Sequence, residues 1–403
     1  MKIAVLTSRF PFPLEKGDKL RLYHQIQGLY QAGHEIGLFA LSEHMVARGD
    51  REVVGRWCRG GMQVYSQPTR QCMRNLAVGW PRGLPLQVAY FFQDKLVPAI
   101  RADLQAFQPD LVYCQLIRMV PYVLDWPGPK VLDYMDAFSG IMRKRAFAAH
   151  PVLRPFWKAE TRRLRRYEGE VFAAFDGHTI ISQRDKMDIA HPASEKISVV
   201  PNGVNTSFFK PFPAETPPFE IAFIGNMGYH PNVVAGRWLV EYLLPRLQRK
   251  YPGIRLLLAG ARPARSILRL ASPAVRVSGW VPDIREAYQQ GQIFIAPLFH
   301  GGGQQNKILE AMAMERPCIT TSHVNEAIGG RHRKELLIAD HEEAFTQQVA
   351  FLLEHPDIAT EIGRRARRFV AERFSWSASN RQLEALLAGW VQREKPETPT
   401  TKK

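Results

Sequence analysis

The stretch Ile293-Phe294-Ile295-Ala296-Pro297, followed by Gly301-Gly302-Gly303-Gln304-Gln305-Asn306-Lys307-Ile308-Leu309-Glu310-Ala311-Met312, decides the fold. Its first five residues are a short apolar run ended by proline, which predicts a buried parallel strand. The three glycines let the backbone turn tightly and approach a ligand closely. Residues 304–314 then read as a helix. Such a turn leaves unpaired N–H groups and the positive end of the helix dipole facing outward, which suits an anion such as a diphosphate. Gly303 and Gln304 stand where those N–H groups are, and Lys307, one turn in, adds a point charge. Glu310 falls on the same face as Gly303, where a carboxylate accepts hydrogen bonds from ribose hydroxyls. An ordinary strand-to-helix connection with a solvated Lys and Glu has the same composition, so the rest of the chain must decide.

Upstream of that stretch, apolar runs recur at 197–200, 219–224, 255–259 and 275–277, separated by helical or loop sequence. Residues 232–244 have helical periodicity, with Pro231 at the first turn and Pro245 expected to kink or end the helix. The first half alternates in the same way: a strand at 2–7, a helix at 19–32 stopped by Gly33, and a strand at 36–41 make a βαβ unit. Further strands are expected at 111–114, 130–132 and 178–181. The pattern predicts an α/β protein of two doubly wound, Rossmann-like parallel-sheet domains, as a 403-residue chain too long for one core also implies. The expected boundaries are 1–178 and 179–373, with a helix at 374–390 packing back on the first domain and a disordered tail at 391–403. In an open α/β sheet ligands bind at the loops after the strands, which draws attention to Arg9, Lys16, Gly17, Asp18 and Lys19 after the first strand.

No apolar run is long enough to span a bilayer, and the proline-broken start does not read as a signal peptide, so a cytoplasmic protein is expected. Cys58, Cys72, Cys114 and Cys318 lack paired spacing and indicate neither disulfides nor zinc. The formal charge of +16 calls for an anionic partner. Between Arg143 and Arg166 there are nine Lys or Arg residues against one acid, Glu160, interleaved with Phe147, Phe156 and Trp157. That composition suits peripheral attachment to an anionic leaflet, where each cation contributes about 1 kcal/mol, or else a solvated helix face. No recognition module accompanies the charge, so nucleic acid is not expected as a partner.

Several motifs fall in one order along the second half. Pro201-Asn202-Gly203-Val204-Asn205 is followed by Phe208 and Pro211, then by Phe223-Ile224-Gly225-Asn226-Met227 with Tyr229, His230, Pro231 and Asn232. Next come Gly279-Trp280-Val281-Pro282-Asp283 and the opening stretch itself through Ala313 and Pro317. This series resembles the retaining glycosyltransferases of family 4, which have the GT-B fold. Residues 2–7, Gly17, Gly33-His34-Glu35, Asp133 with Asp136, and 182–185 extend the resemblance into the first half. Leu132-Asp133-Tyr134-Met135-Asp136 and Gln305-Asn306-Lys307 are most similar to the transferases associated with exosortase and exopolysaccharide loci.

The resemblance implies a nucleotide-diphosphate sugar bound by the second domain and a glycan or lipid-linked acceptor against the first, across a cleft, with retention at the anomeric carbon and no metal or other cofactor. Donor contacts would come from Gly17, Asn226, His230, Gly302, Gly303, Gln304, Lys307 and Glu310, and the reaction would involve Lys307, Gln115 and Asp136. Departures from the family pattern also matter. Gly302 replaces the first glutamate of a paired motif, and Cys114-Gln115 stands where many members carry a histidine. Gln115 can position a hydroxyl but cannot take its proton, which would pass to the leaving phosphate. Asn226, Met227 and Gly228 replace an Arg and Lys pair, leaving His230 to face a phosphate or solvent. Asp283 is expected chiefly to cap the helix after it. An inactive nucleotide-binding scaffold and a nucleotide-sugar epimerase or hydrolase are the rival readings.

Overall fold

Alternate side chains of β1 (Lys2–Thr7) feed two different cores, and this sets the plan of the first unit. Ile3 and Val5 pack with Leu22, Ile26 and Leu29, while Ala4 and Leu6 pack on the other face with Ile100, Leu104 and Leu164. A strand buried on both faces needs helices on both sides, the condition of a parallel sheet. The computed structural model describes residues 1–212, 217–299 and 304–393. It divides into two units, Met1–Pro201 with the chain from Trp376 onward, and Asn202–Ser375.

The first unit holds β1, β2 (Glu35–Ser42), β3 (Met62–Ser66), β4 (Leu111–Gln115), β5 (Lys130–Asp133), β6 (Gly177–Ile180) and β7 (Ser198–Val199), in the order β3-β2-β1-β4-β5-β6-β7. The second holds β8 (Phe219–Ile224), β9 (Leu256–Ala259), β10 (Val275–Gly279), β11 (Gly291–Ala296), β12 (Cys318–Thr320) and β13 (Leu337–Ile338), in the order β10-β9-β8-β11-β12-β13. Every pairing is parallel. Strand order reverses between β1 and β4 in one sheet and between β8 and β11 in the other, and such switch points are where open sheets bind ligands.

Three expectations are corrected. The boundary at 178/179 falls inside β6, and the run at 197–200 belongs to the first sheet, with Thr179 opposite Ser198 and Ile180 opposite Val199. A two-residue strand carries no mark of the sheet it joins; pairing decides it. Of the two outcomes expected at Pro245, a kink or an end, the helix does not end: His230–Trp238 continues through a π-turn at Leu239–Leu243 into Leu244–Gln248. The wider turn accommodates the proline that lacks an N–H. The final helix runs Trp376–Arg393, past the expected start of the tail at 391, and residues 394–403 lie outside the described residues.

That final helix returns to the first unit, where Leu383 and Leu387 join the core of Ile3 and Val5. Asn380 fills the space a side chain at Gly28 would need and donates to the His24 carbonyl at 2.9 Å, while Trp376 stacks on His24. Among the described residues no helix is long and apolar enough to cross a membrane.

Candidate active site

The carboxyl edge of the second sheet is built by close backbone approach. Gly260, after β9, has φ +135°, and a Cβ there would meet the Gly225 carbonyl oxygen at 1.8 Å, so only glycine fits. A Cβ on Gly225, after β8, would lie 2.9 Å from Asn232 Nδ2 and 3.3 Å from Lys307 Nζ. The buried Asn232 ties the edge together: its Nδ2 donates to the Asn226 carbonyl at 2.9 Å and its Oδ1 accepts from Lys307 Nζ at 2.5 Å. Asn226 itself turns back, its Oδ1 accepting the Gly228 N–H at 3.0 Å, which makes it a turn former. His230 is exposed at the first residue of its helix.

Lys307 lies in the first turn of the helix Asn306–Ala313, with Nζ 5.3 Å over the Phe223 ring. Burial pushes its ammonium down to about 8, against the pull of Glu310. Glu310, one turn on, accepts from Tyr288 Oη at 2.7 Å, and the same hydroxyl lies 3.2 Å from the Lys307 carbonyl. Burial raises the Glu310 carboxyl, and Tyr288 and Lys307 offset part of that rise. A half-buried cation and a carboxylate therefore stand on one helix face, each held by a neutral group.

Gln304 is held through its side chain. Its amide accepts from the Asn202 N–H at 3.0 Å and donates to the Asn202 carbonyl at 2.8 Å, with both residues buried. A buried turn must pair its backbone groups, and this side chain supplies both partners. Gln304 therefore anchors the Pro201-Asn202-Gly203 turn through its side chain, which is a separate role from the one expected of its backbone N–H. Gly302 and Gly303 lie outside the described residues. Asp283 caps Ile284–Gln289 by accepting the Arg285 N–H at 2.9 Å and also holds the Arg285 guanidinium.

At the carboxyl edge of the first sheet, Gly17 opens the helix Gly17–Gln31, and a Cβ there would reach only ordinary contact with Met135 Cε at 3.5 Å. Gln115, at the end of β4, is buried and bonded at both ends of its amide: Oε1 accepts from Thr7 Oγ1 at 2.8 Å and Nε2 donates to the Asp18 carbonyl at 2.9 Å. The expected catalytic part for Gln115 is thereby corrected to a brace across the switch point. Asp133 is likewise internal, paired with the fully buried Arg21 at 2.7 Å and accepting from Thr179 Oγ1 at 3.0 Å.

Asp136 differs from these two. It follows Met135, whose φ is +59°, and stays half-buried. Burial and then Asp185 push its carboxyl up to about 7, with Arg21 opposing. Asp185 is itself raised by burial and receives the hydroxyl proton of Ser182 in a short hydrogen bond. Asp18 shows the opposite balance: burial raises it, yet Arg9 at 2.6 Å and Arg118 at 3.7 Å hold it below its ordinary value. Among the described residues no three His, Cys, Asp or Glu side chains gather as metal ligands.

Residues 218–355 match the family of glycosyl transferases group 1. Over 392 residues the chain is 21% identical to an uncharacterized 44.6 kDa protein in the cps region of Klebsiella pneumoniae, covering 93% of this chain and 96% of that one. The chain is a glycosyltransferase of GT-B fold, and the group 1 match lies within its second unit. The glycosyltransferase is similar to sucrose-phosphate synthase of Thermosynechococcus elongatus, at 15% identity over 98% of this chain and 100% of that chain, with a TM-score of 0.71. It is also similar to Anabaena Alr3699/HepE in complex with UDP-glucose, at 14% identity over 96% of this chain and 99% of that chain, with a TM-score of 0.65.

Sequence reasoning on this glycosyltransferase missed Tyr288, Arg21 and the partnership of Asp185 with Asp136. Tyr288 and Arg21 sit on amphipathic helices, where an aromatic reads as core and an arginine as solvated face. Only the third dimension brings them to Glu310 and Asp133.

Proposed function

We propose that the protein transfers a sugar, with retention, from a nucleoside diphosphate donor bound by the second unit to a membrane-associated glycan or lipid-linked acceptor on the first, in polysaccharide synthesis. The observation that carries this reading is Lys307, held by neutral Asn232 beside Gly225, with Glu310 one turn on. The ammonium compensates the diphosphate charge as the anomeric C–O bond breaks, and Glu310, oriented by Tyr288, accepts from the ribose. The new C–O bond forms on the same face of the sugar, the nucleoside diphosphate keeps the bonding pair, and the acceptor proton passes to its departing phosphate. Asp136, with a carboxyl near neutrality, positions the acceptor hydroxyl. On the second unit, Asn226 and His230 border the phosphates.

Supporting evidence comes from different directions. The Klebsiella relative lies in a cps region, which suits capsule or exopolysaccharide synthesis. The residues 132–136 and 305–307 favour the exosortase-associated branch, and the UDP-glucose bound by HepE makes a uridine donor the first to test. A panel of uridine, guanosine and adenosine diphosphate sugars, followed by thermal denaturation, tests the reading, because a specific donor raises the melting temperature by mass action. A panel with no stabilising member, together with no sugar transferred from any of them to a lipid extract, overturns it.

A further inference from the structure

The helices Phe138–Ala148 and Arg154–Glu170 of the first unit pack against each other, and every residue from His150 to Phe156 at their junction is exposed. Four of the exposed side chains there are large and apolar: Phe147 is 87% exposed, Val152 78%, Leu153 53% and Phe156 38%. A neighbouring helix, Thr69–Gly79, adds exposed Met73 and Val78. The two are joined through Trp80, whose ring lies 6.0 Å from Phe156 and under the Arg163 guanidinium at 4.4 Å. Scattered apolar residues are normal on a surface, but four large exposed ones within ten residues of one helix junction, two of them phenylalanines, mark something that covers them.

The charges around this group identify the partner. Arg74, Arg145, Arg154, Lys158 and Arg162 are all exposed beside it, and Arg145 stacks on Trp157 at 3.8 Å. The acids of the same helices that lie nearest in sequence turn inward: Glu160 and Glu168 are buried, Glu160 accepting the Leu86 N–H and Glu168 the Ser139 N–H. The outer face therefore combines protruding apolar side chains with cations. That pairing suits the boundary between phosphate headgroups and acyl chains, where Arg and Lys meet phosphates while Phe and Leu leave water.

We propose that the 147–156 tip, with Met73 and Val78 beside it, inserts into the anionic leaflet of a lipid bilayer and holds the enzyme there. The surface deepens the proposed function only by placing the chain where a lipid-borne acceptor lies. Its own chemistry requires neither donor nor acceptor.

Flotation of the full chain with vesicles tests it. The wild type should float with phosphatidylcholine–phosphatidylglycerol vesicles and remain below with phosphatidylcholine alone. Phe147→Ser with Leu153→Ser should weaken partition by about a hundredfold. Lys158→Gln with Arg162→Gln should weaken it by about tenfold and flatten its salt dependence. Because Cys58, Cys72, Cys114 and Cys318 are buried, an environment-sensitive maleimide dye on Val152→Cys labels the tip selectively, and its emission should shift to the blue on anionic vesicles. Unchanged melting temperatures show that the variants are folded. A wild type that does not float, an apolar variant that floats as well as wild type, or a dye that stays in water overturns the proposal. So does lipid-free self-association that the apolar variant abolishes, which would assign the face to a second copy of the chain. A chain that floats but transfers no sugar leaves this surface standing and removes only the assigned activity.

Discussion

Lys307 Nζ lies 2.5 Å from Asn232 Oδ1, so the ammonium that burial has pushed down to about 8 is held directly by a neutral amide. An amide orients the cation without cancelling its charge, and a diphosphate would complete the pairing.

Donor binding should therefore take up a proton near pH 8. Free Lys307 is about half protonated there, and an adjacent diphosphate raises its pKa, so the complex holds more protons than its parts. Affinity should fall as pH rises through 8. Titration calorimetry in buffers of differing ionisation heat should report an uptake of about half a proton, and zero uptake would separate Lys307 from the phosphates. Lys307→Ala should lower kcat by about a hundredfold or more without lowering the melting temperature, since it removes a desolvated charge.

Tyr288→Phe should raise the KM for donor by about tenfold while changing kcat less, because the lost hydroxyl orients Glu310 for a contact made in the ground state. Steady-state kinetics with varied donor measures the split. Equal losses in kcat and in kcat/KM would mean that Glu310 acts in the transition state.

Asp136 carries a pH signature of the opposite sign to an ordinary salt-bridged aspartate. Its folded pKa is raised to about 7 from 3.8, so between those values the folded state binds more protons, and the contribution of this group to stability falls as pH rises. Asp136→Asn should raise the melting temperature relative to wild type at pH 8, by an amount corresponding to about 1 kcal/mol, and leave it nearly unchanged at pH 4. Thermal melts at the two pH values check this, and equal shifts would dissolve the pairing with Asp185.

Gln115→Leu should cost about 1–3 kcal/mol of stability by removing the two buried hydrogen bonds of the amide, to the Thr7 hydroxyl and the Asp18 carbonyl. Urea denaturation gives the loss. At a temperature where the variant is fully folded, the pH dependence of its rate should match that of wild type; a changed profile would return Gln115 to the chemistry.

Much of the fold was legible because parallel strands buried on both faces read as unbroken apolar runs, as in β1, β8 and β11. Residues 198–199 were misplaced since two residues carry no such run. The common helix face of Lys307 and Glu310 was legible from helical spacing, and the Asp283 cap from the preference of its position. The side-chain braces of Gln304 and Gln115 were not legible for one shared reason: both are polar residues where a loop meets a regular element, and there a ligand contact and a backbone brace call for the same amide. Which of the two it serves depends on a partner about a hundred residues away in sequence, Asn202 for Gln304 and Thr7 for Gln115. Arg21 and Asp133 were obscured by their own rarity, because a charged pair wholly out of water has no sequence signature.

The return of Trp376–Arg393 to the first unit has a consequence for biosynthesis. Leu383 and Leu387 complete the layer over Ile3 and Val5, yet the whole second unit is translated before them. Until then that core lacks part of its cover, and the nascent chain displays an oily flank throughout translation of the second unit. A message truncated near codon 375 should therefore yield an aggregation-prone product that chaperones retain, although nearly every residue assigned to chemistry would already be present.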